Sequence, residues 1–369
     1  MKRILFLISA VLGLCIAAGA YAQDKNVKYK FVDATKLTVV GKLFNDTPQP
    51  YHRLDTEKYE GFSETEATLL KYSAGIAIAF RSDSPSIAVL PTYGLIKQIA
   101  STASVSSKGF DLYIKDSEGR YGQPGRWIFA ESTSGHDGRH DVIKDGLDGT
   151  MKEFLLYLPT FSELNELLIG VEKGYVLEKI DNPFRHRIAV FGSSFTHGHS
   201  TSRAGMTYPA QLSRMTGLQL LNLGVSGNSK LQQHFAKALG AADVDAIIFD
   251  AFSNPTAERI EKTLFQFIET IQESHPEIPL IFQQTIYRET MNFDANRTAG
   301  GVTKMATAER MMKEAMEKYN NVYFIVPNAS LENHDTSVDG THPSDLGYYL
   351  WAQSIKDPVL EILAKYGIR

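Results

Sequence analysis

The chain changes rhythm once, and that change limits what it can fold into. Before about Asn182, apolar residues come in short runs cut by turn residues. Ile76–Phe80, Ser86–Leu90, Phe110–Ile114, Arg126–Phe129 and Glu153–Leu158 read as strands, divided by Ser82–Pro85, Ser117–Gly119, Gly122–Gly125 and Asp145–Gly149. Leu167–Val171 reads as the last strand, and no long stretch has helical period. Many short strands at regular spacing predict an antiparallel β-sandwich. After Phe184 strands alternate with helices. Ile188–Phe191, Leu218–Asn222, Ala246–Phe249, Leu280–Gln283 and Val322–Val326 are the expected strands. Thr207–Thr216, Lys230–Leu239, Ala257–Glu273, Thr303–Tyr319 and a final amphipathic Ser344–Tyr366 are the expected helical segments. Apolar runs without alternation suit strands buried on both faces, and strand–helix alternation suits a parallel sheet covered on both sides. The boundary falls at Asp181–Pro183, giving a β-sandwich over 23–182 and an α/β unit over 183–369.

Residues 1–22 read as a secretory signal: Lys2 and Arg3, an apolar Ile4–Ala18, then Ala20-Tyr21-Ala22 before Gln23. The apolar run is too short to span a bilayer comfortably. Export to the periplasm or the extracellular space is expected, with no stable membrane insertion after cleavage. The sole cysteine, Cys15, leaves with the signal, so the mature chain has no disulfide, no thiol nucleophile and no thiolate metal site. Its 38 basic and 42 acidic side chains are interspersed, which gives no footprint for nucleic acid.

Polar residues gather where the later strands end. Gly192-Ser193-Ser194 follows the first and Asn222-Leu-Gly-Val-Ser-Gly-Asn-Ser229 the second. Asp250-Ala-Phe-Ser-Asn-Pro255 follows the third, and Val338-Asp-Gly-Thr-His-Pro343 precedes the last helix. In open α/β sheets this edge is where ligands bind. A serine hydroxyl needs a base before it is a useful nucleophile. His342 can be that base, and Asp339 can fix its tautomer. The N–H groups of Ser194 and Gly227 and the Asn254 amide can donate to an oxyanion. Each residue also has a plain structural reading: Asp339 as a cap, His342 as a surface histidine, Asn254 as a loop end before proline, and the glycines as turn residues. Needing all of these coincidences at one edge is the less economical account.

Taken in order, Gly-Ser-Ser, Asn-x-Gly-x-Ser-Gly, Asp-x-x-x-Asn and Asp-Gly-x-His-Pro resemble the blocks of the SGNH (GDSL-like) hydrolase superfamily. Its four letters map onto Ser194, Gly227, Asn254 and His342, with Asp339 as the orienting acid. Gly109-Phe-Asp-Leu-Tyr113 resembles the Gly-x-Asp-Leu-Tyr signature of the sandwich domain that precedes some bacterial SGNH esterases. The resemblance implies a jelly-roll-like sandwich, then a flavodoxin-like α/β/α hydrolase domain, no cofactor, and ester hydrolysis through an acyl-enzyme. It further implies acetyl removal from an acylated carbohydrate. Two positions depart from the pattern. The usual Asp before the nucleophile is Ser193, and the usual Gly-x-Asn-Asp block is Phe252-Ser-Asn-Pro255.

Other residues carry weaker expectations. His136 and His140 lie in a loop and are read as solvated rather than metal-bound. Tyr121, Trp127 and Phe129 either stack on a sugar or belong to the core. His197 and His199 contact substrate or hydrogen-bond loop carbonyls, without the partners that a metal site needs. Arg203 binds a substrate carboxylate bidentately or forms a salt bridge. Gln283, Gln284 and Tyr287 line a cleft or satisfy one another. A lipase or thioesterase for longer acyl chains, and a non-catalytic carbohydrate-binding protein, remain the alternative functions. The sequence leaves the oligomeric state open.

Overall fold

The computed structural model describes residues 28–369; the signal expected over 1–22, with Cys15, lies outside them. The first half contains β1 (Tyr29–Asp33), β2 (Thr38–Val40), α1 (Glu64–Lys71), β3 (Ala77–Ser82), β4 (Ile87–Ile96), α2 (Ser104–Ser107), β5 (Phe110–Asp116), β6 (Arg126–Thr133), β7 (Asp141–Lys144), β8 (Lys152–Tyr157), β9 (Ser162–Glu172) and β10 (Leu177–Lys179). One sheet runs β1-β9-β4-β7. The other runs β10-β3-β8-β5-β6, with β2 also on β3. All these pairings are antiparallel. The sheets face each other across Ile78 and Phe80, Ile87 and Val89, Phe110 and Leu112, Phe154 and Leu156, and Leu167 and Ile169. That period of two is the alternation read from the sequence.

Helix α1 was not expected, yet its start signal is present. Ser63 and Glu66 form a reciprocal capping box. The helix has only eight residues, too few for an apolar period to stand out. Its Leu69 and Leu70 are buried in the core of the second half.

The second half contains β11 (Arg185–Gly192), α3 (Ser194–His197), α4 (Tyr208–Thr216), β12 (Leu218–Gly224), α5 (Gln233–Gly240), β13 (Ala246–Asp250), α6 (Ala257–Gln272), β14 (Leu280–Gln283), α7 (Ala295–Lys318), β15 (Val322–Ile325) and α8 (Asp345–Ala364). The strands form a parallel sheet in the order β12-β11-β13-β14-β15. Alternate residues point to opposite layers. Ala189, Phe191, Ile247, Phe249 and Phe282 meet α5, α6 and α7 through Phe235, Phe267 and Met312. Ile188, Val190, Ile248 and Ile281 meet α4 and α8 through Leu212, Trp351 and Ile355. Helix α7 begins eight residues before the expected Thr303, capped by Asp294. Gly300 and Gly301 lie inside that first part, and their low helix propensity hid it. Among the described residues no helix is long and apolar enough to cross a membrane.

The two halves share a face. Ala77, Ala79, Tyr113, Leu155 and Tyr157 of the sandwich pack with Phe184, Ala204 and Ala210. The first two outward positions of β3, Ala77 and Ala79, are alanines, whose size lets the second half come close.

Candidate active site

The sheet order reverses between β11 and β13, and a crevice opens beyond the carboxyl ends of strands at such a switch point. β11 feeds Ser194 into this crevice, and β13 feeds Asp250 to Asn254. Ser194 Oγ lies 2.9 Å from His342 Nε2, and His342 Nδ1 lies 2.8 Å from Asp339 Oδ2. The acid's other oxygen accepts the N–H of His342 at 2.7 Å and of Thr341 at 3.0 Å. The loop is closed by Val338 N–H donating to His342 O, 2.9 Å away. Burial alone would push the Asp339 carboxyl up, but the N–H and imidazole of His342 and the N–H of Thr341 outweigh it and hold it at about 2. Asp339 is therefore an anion that keeps the proton on Nδ1 and turns the Nε2 lone pair toward Ser194. Burial lowers the His342 pKa below its usual value, more than the Asp339 bond and charge raise it, and Arg288 lowers it further. The imidazole is thus neutral near pH 7 and able to accept a proton.

The three expected oxyanion donors lie just beyond the carboxyl ends of β11, β12 and β13. Among the described residues no turn or cap hydrogen bond engages the N–H of Ser194 or Gly227. Gly227 has φ +74°, with nothing within 4 Å of where a Cβ would stand. Glycine is required there by backbone conformation rather than by crowding. The Asn254 side chain accepts from Ser229 N–H at 3.2 Å through Oδ1. That bond orients the amide, and nothing among the described residues accepts from its Nδ2.

The missing Asp before the nucleophile is replaced from another strand. Asp250, at the end of β13, accepts from Ser193 N–H at 3.0 Å and Ser193 Oγ at 2.6 Å. It also accepts from Thr196 Oγ1 at 3.2 Å and from the Ser253 hydroxyl. This carboxylate ties the nucleophile turn to the Asn254 loop, and its complete burial pushes its pKa up.

Two expected substrate contacts are corrected. His197 is fully buried. Its Nε2 bonds to Thr160 O at 2.9 Å, Ser226 Oγ lies 3.1 Å from Nδ1, and the ring stacks on Phe161 at 4.2 Å. It joins the two halves and cannot reach a ligand. Arg203 is also engaged. Its Nη1 donates to both oxygens of Asp111, at 2.9 and 3.1 Å, and to Tyr113 Oη at 2.6 Å. The guanidinium covers the ring of Phe129, with its carbon 3.9 Å from the centroid. The carboxylate that Arg203 holds is thus Asp111 of this chain.

His199 lies nearer the chemistry than the sequence indicated. Its ring stacks flat on His342, with centroids 3.9 Å apart, and its Nε2 is 2.8 Å from Ser101 Oγ of the first half. Burial and the adjacent His342 push it down to about 4, so it stays neutral. Ligand atoms of His199, Asp339 and His342 fall within 4.8 Å of one another. Both ring nitrogens of His342 are already bonded, which favours a hydrogen-bonded line over a metal set. His136 bonds to Asp141 on an exposed turn, and His140 packs on Tyr29 and Phe31. Gln283 accepts from Trp351 Nε1 at 2.7 Å and Gln284 donates to Met305 O at 3.0 Å, both buried. Tyr287 Oη donates to Asn292 Oδ1. Trp127 packs against the shared face of the two halves. Tyr121 borders a hollow of about 430 Å³ on the sandwich, away from Ser194.

Sequence reasoning missed Arg53, which is fully buried without an acidic partner. It donates to the carbonyls of Tyr72 at 2.8 Å, Leu69 at 2.6 Å and Gly224 at 2.8 Å. No local signal marks it, because its acceptors come from both halves.

The chain is similar to known proteins. Residues 185–361 match the GDSL-like lipase/acylhydrolase family, and residues 29–177 match the N-terminus of SGNH-hydrolase-type esterases. A structure described as a GDSL-like lipase from Bacteroides ovatus is 36% identical, with a TM-score of 0.85 over 91% of this chain and 98% of its own. A salicylyl-acyltransferase from a tetracycline biosynthetic pathway shares the fold at 21% identity, with a TM-score of 0.69 over 92% of this chain and 99% of its own. A family two carbohydrate esterase from Cellvibrio japonicus does so at 12% identity, with a TM-score of 0.57 over 91% and 98%. No curated protein matches.

Proposed function

From the fact that this chain belongs to the GDSL-like lipase/acylhydrolase family, we propose that it is an exported serine esterase removing small acyl groups, acetyl first, from a carbohydrate. The observation that carries the reading is the unbroken line Ser194 Oγ, His342 Nε2, His342 Nδ1, Asp339 Oδ2. In this reading His342 takes the Ser194 proton as Oγ bonds to the ester carbonyl carbon. The oxyanion is held by the N–H groups of Ser194 and Gly227 and by Asn254 Nδ2. Collapse breaks the bond to the alcohol, which leaves with the proton from His342. Water, deprotonated by the same imidazole, then attacks the acyl-serine; the bond to Oγ breaks, the acid leaves, and His342 returns the proton to Ser194. Asp339 keeps its charge throughout and stabilises the imidazolium.

The carbohydrate assignment draws support from the shared architecture with family two carbohydrate esterases. The polar loops after β11, β12 and β13 favour a short acyl group. Export rests on the signal read over 1–22. The test is acetate release from acetyl nitrophenyl ester, acetylated xylan and acetylated pectin by wild type and Ser194→Ala. The variant is expected to remain folded and to lose on the order of 10⁴-fold or more in turnover. Comparable activity in the variant refutes the mechanism. Rates that rise from acetyl to octanoyl esters replace the substrate class with a lipase-type one.

A further inference from the structure

We propose that a pocket beside His342 takes a carboxylate borne by the ester substrate, bound by Arg288 and Lys304. The proposal rests on the esterase reading and specifies its substrate class. A hollow of about 300 Å³ is lined by Thr285, Arg288, Thr290, Lys304 and Thr341, among others. Thr341 directly precedes the base, so the hollow adjoins the reacting centre. The Arg288 guanidinium lies over the ring of Phe195, the residue after Ser194, with its carbon 5.5 Å from the centroid.

The two cations are poorly compensated. Arg288 Nη2 and Lys304 Nζ donate to the same acceptor, Ser253 O, at 2.6 and 3.2 Å. Among the described residues neither takes part in a salt bridge, whereas Arg297, which also lines the hollow, is paired with Asp294. The carboxylate whose charge reaches Arg288 is Asp250, and its oxygens are already taken by Ser193, Thr196 and Ser253. Burial lowers both cations, and Arg288 helps to bring Lys304 to about 8. One carbonyl cannot neutralise two desolvated positive charges, and an unpaired buried charge is costly. A bound anion would supply the missing partner. Nε and Nη1 of Arg288 are not engaged by any described residue, and a planar fork of this kind matches a carboxylate.

The carboxylate can sit on the alcohol, as in a uronic acid, or on the acyl group. Two matched substrate pairs separate these sources. The first is monoacetylated methyl glucuronide against monoacetylated methyl glucoside. The second is the nitrophenyl hemisuccinate against the nitrophenyl butyrate. Wild type should favour the anionic member of one pair in kcat/KM by about tenfold or more, the scale of one charge-assisted hydrogen bond. Lys304→Gln keeps a donor for Ser253 O and should cut that preference by about tenfold, and Arg288→Gln should do the same. High salt should weaken the preference in wild type. Neutral esters hydrolysed with no anionic preference in either pair overturn the inference and leave the esterase reading intact. A preference unchanged in both variants overturns it as well. If wild type hydrolyses no ester, the esterase reading fails. Calorimetric titration of Ser194→Ala with methyl glucuronide against methyl glucoside, and with monomethyl succinate against methyl butyrate, then decides, and equal binding within both pairs overturns the carboxylate site.

Discussion

Restoring the family's usual aspartate before the nucleophile should damage this protein. Ser193 is fully buried, with Oγ 2.6 Å from Asp250 Oδ2. Ser193→Asp would place a second carboxylate against the first. Two unit charges about 4 Å apart at an effective dielectric near 20 repel by about 4 kcal/mol. The pair escapes part of this by keeping one proton, and added volume in a packed site costs a further ~1 kcal/mol. A loss of about 3–5 kcal/mol at pH 7 follows. The companion change Asp250→Ser moves the carboxylate across the contact and nearly conserves volume. The double variant should therefore recover most of the loss, together with esterase turnover.

The assay is urea unfolding of both single variants and the double variant, beside nitrophenyl acetate hydrolysis. The pH dependence has a definite sign. Burial raises the Asp250 carboxyl, and a second carboxylate beside it raises the pair further. The folded state then holds more protons than the unfolded one, so stability falls as pH rises from the unfolded carboxylate value through the folded one. The Ser193→Asp penalty should shrink toward pH 4–5. A single variant as stable as wild type, or a double variant no better than the single one, refutes the claim that Asp250 replaces the missing aspartate.

Further outcomes are expected. Asp111→Ala leaves Arg203 and Gly205 N–H without their buried acceptor and should cost about 3–5 kcal/mol in unfolding free energy. Combined with Arg203→Met it should be less than additive, and strict additivity removes the ion pair as the cause. The acidic limb of kcat/KM should titrate below the usual histidine value of 6.5, because burial lowers His342 and only the neutral imidazole accepts a proton. A limb at pH 7 or above contradicts the assignment. His199→Ala opens one face of His342 to water and should move the limb upward.

The sequence made the second half legible because its chemistry is local in the chain. Ser194, Gly227, Asn254, Asp339 and His342 each stand in a short block at the end of a strand or before a helix, and parallel topology brings those ends together. Contacts made across the two halves were harder to read. Arg203 had the chemistry of a carboxylate binder, but its carboxylate is Asp111 on β5. His197 stood three residues past Ser194, yet its acceptor is Thr160 in the first half. Asp250 was visible as the first residue of the third block. Its role as a substitute for residue 193 requires knowing that β11 and β13 are neighbours, with Gly192 opposite Asp250 in register. Arg288 and Lys304 come from a loop and a helix whose convergence on Ser253 O leaves no pattern in one dimension.

The Gly-x-Asp-Leu-Tyr signature has a physical reading that follows from strand period. Asp111 and Tyr113 are two apart on β5 and point to one side, where both bind Arg203. Leu112 points the other way, into the sandwich core. Gly109 passes a neighbouring strand so closely that a Cβ would lie 2.1 Å from Thr133 O. Asp111 also accepts from Gly205 N–H at 2.8 Å. Ser101 and Thr102 hold His199 and Ser200, and Ser106 bonds to Thr201. Tyr348, from α8, donates to His199 O. The first half thus grips 197–205, the segment that leaves the nucleophile helix, at several places. Since His199 stacks on His342, a sandwich side chain stands one ring away from the base. The sandwich is in this sense a positioning element for the α/β half, and loosening it at Asp111 should reach turnover as well as stability.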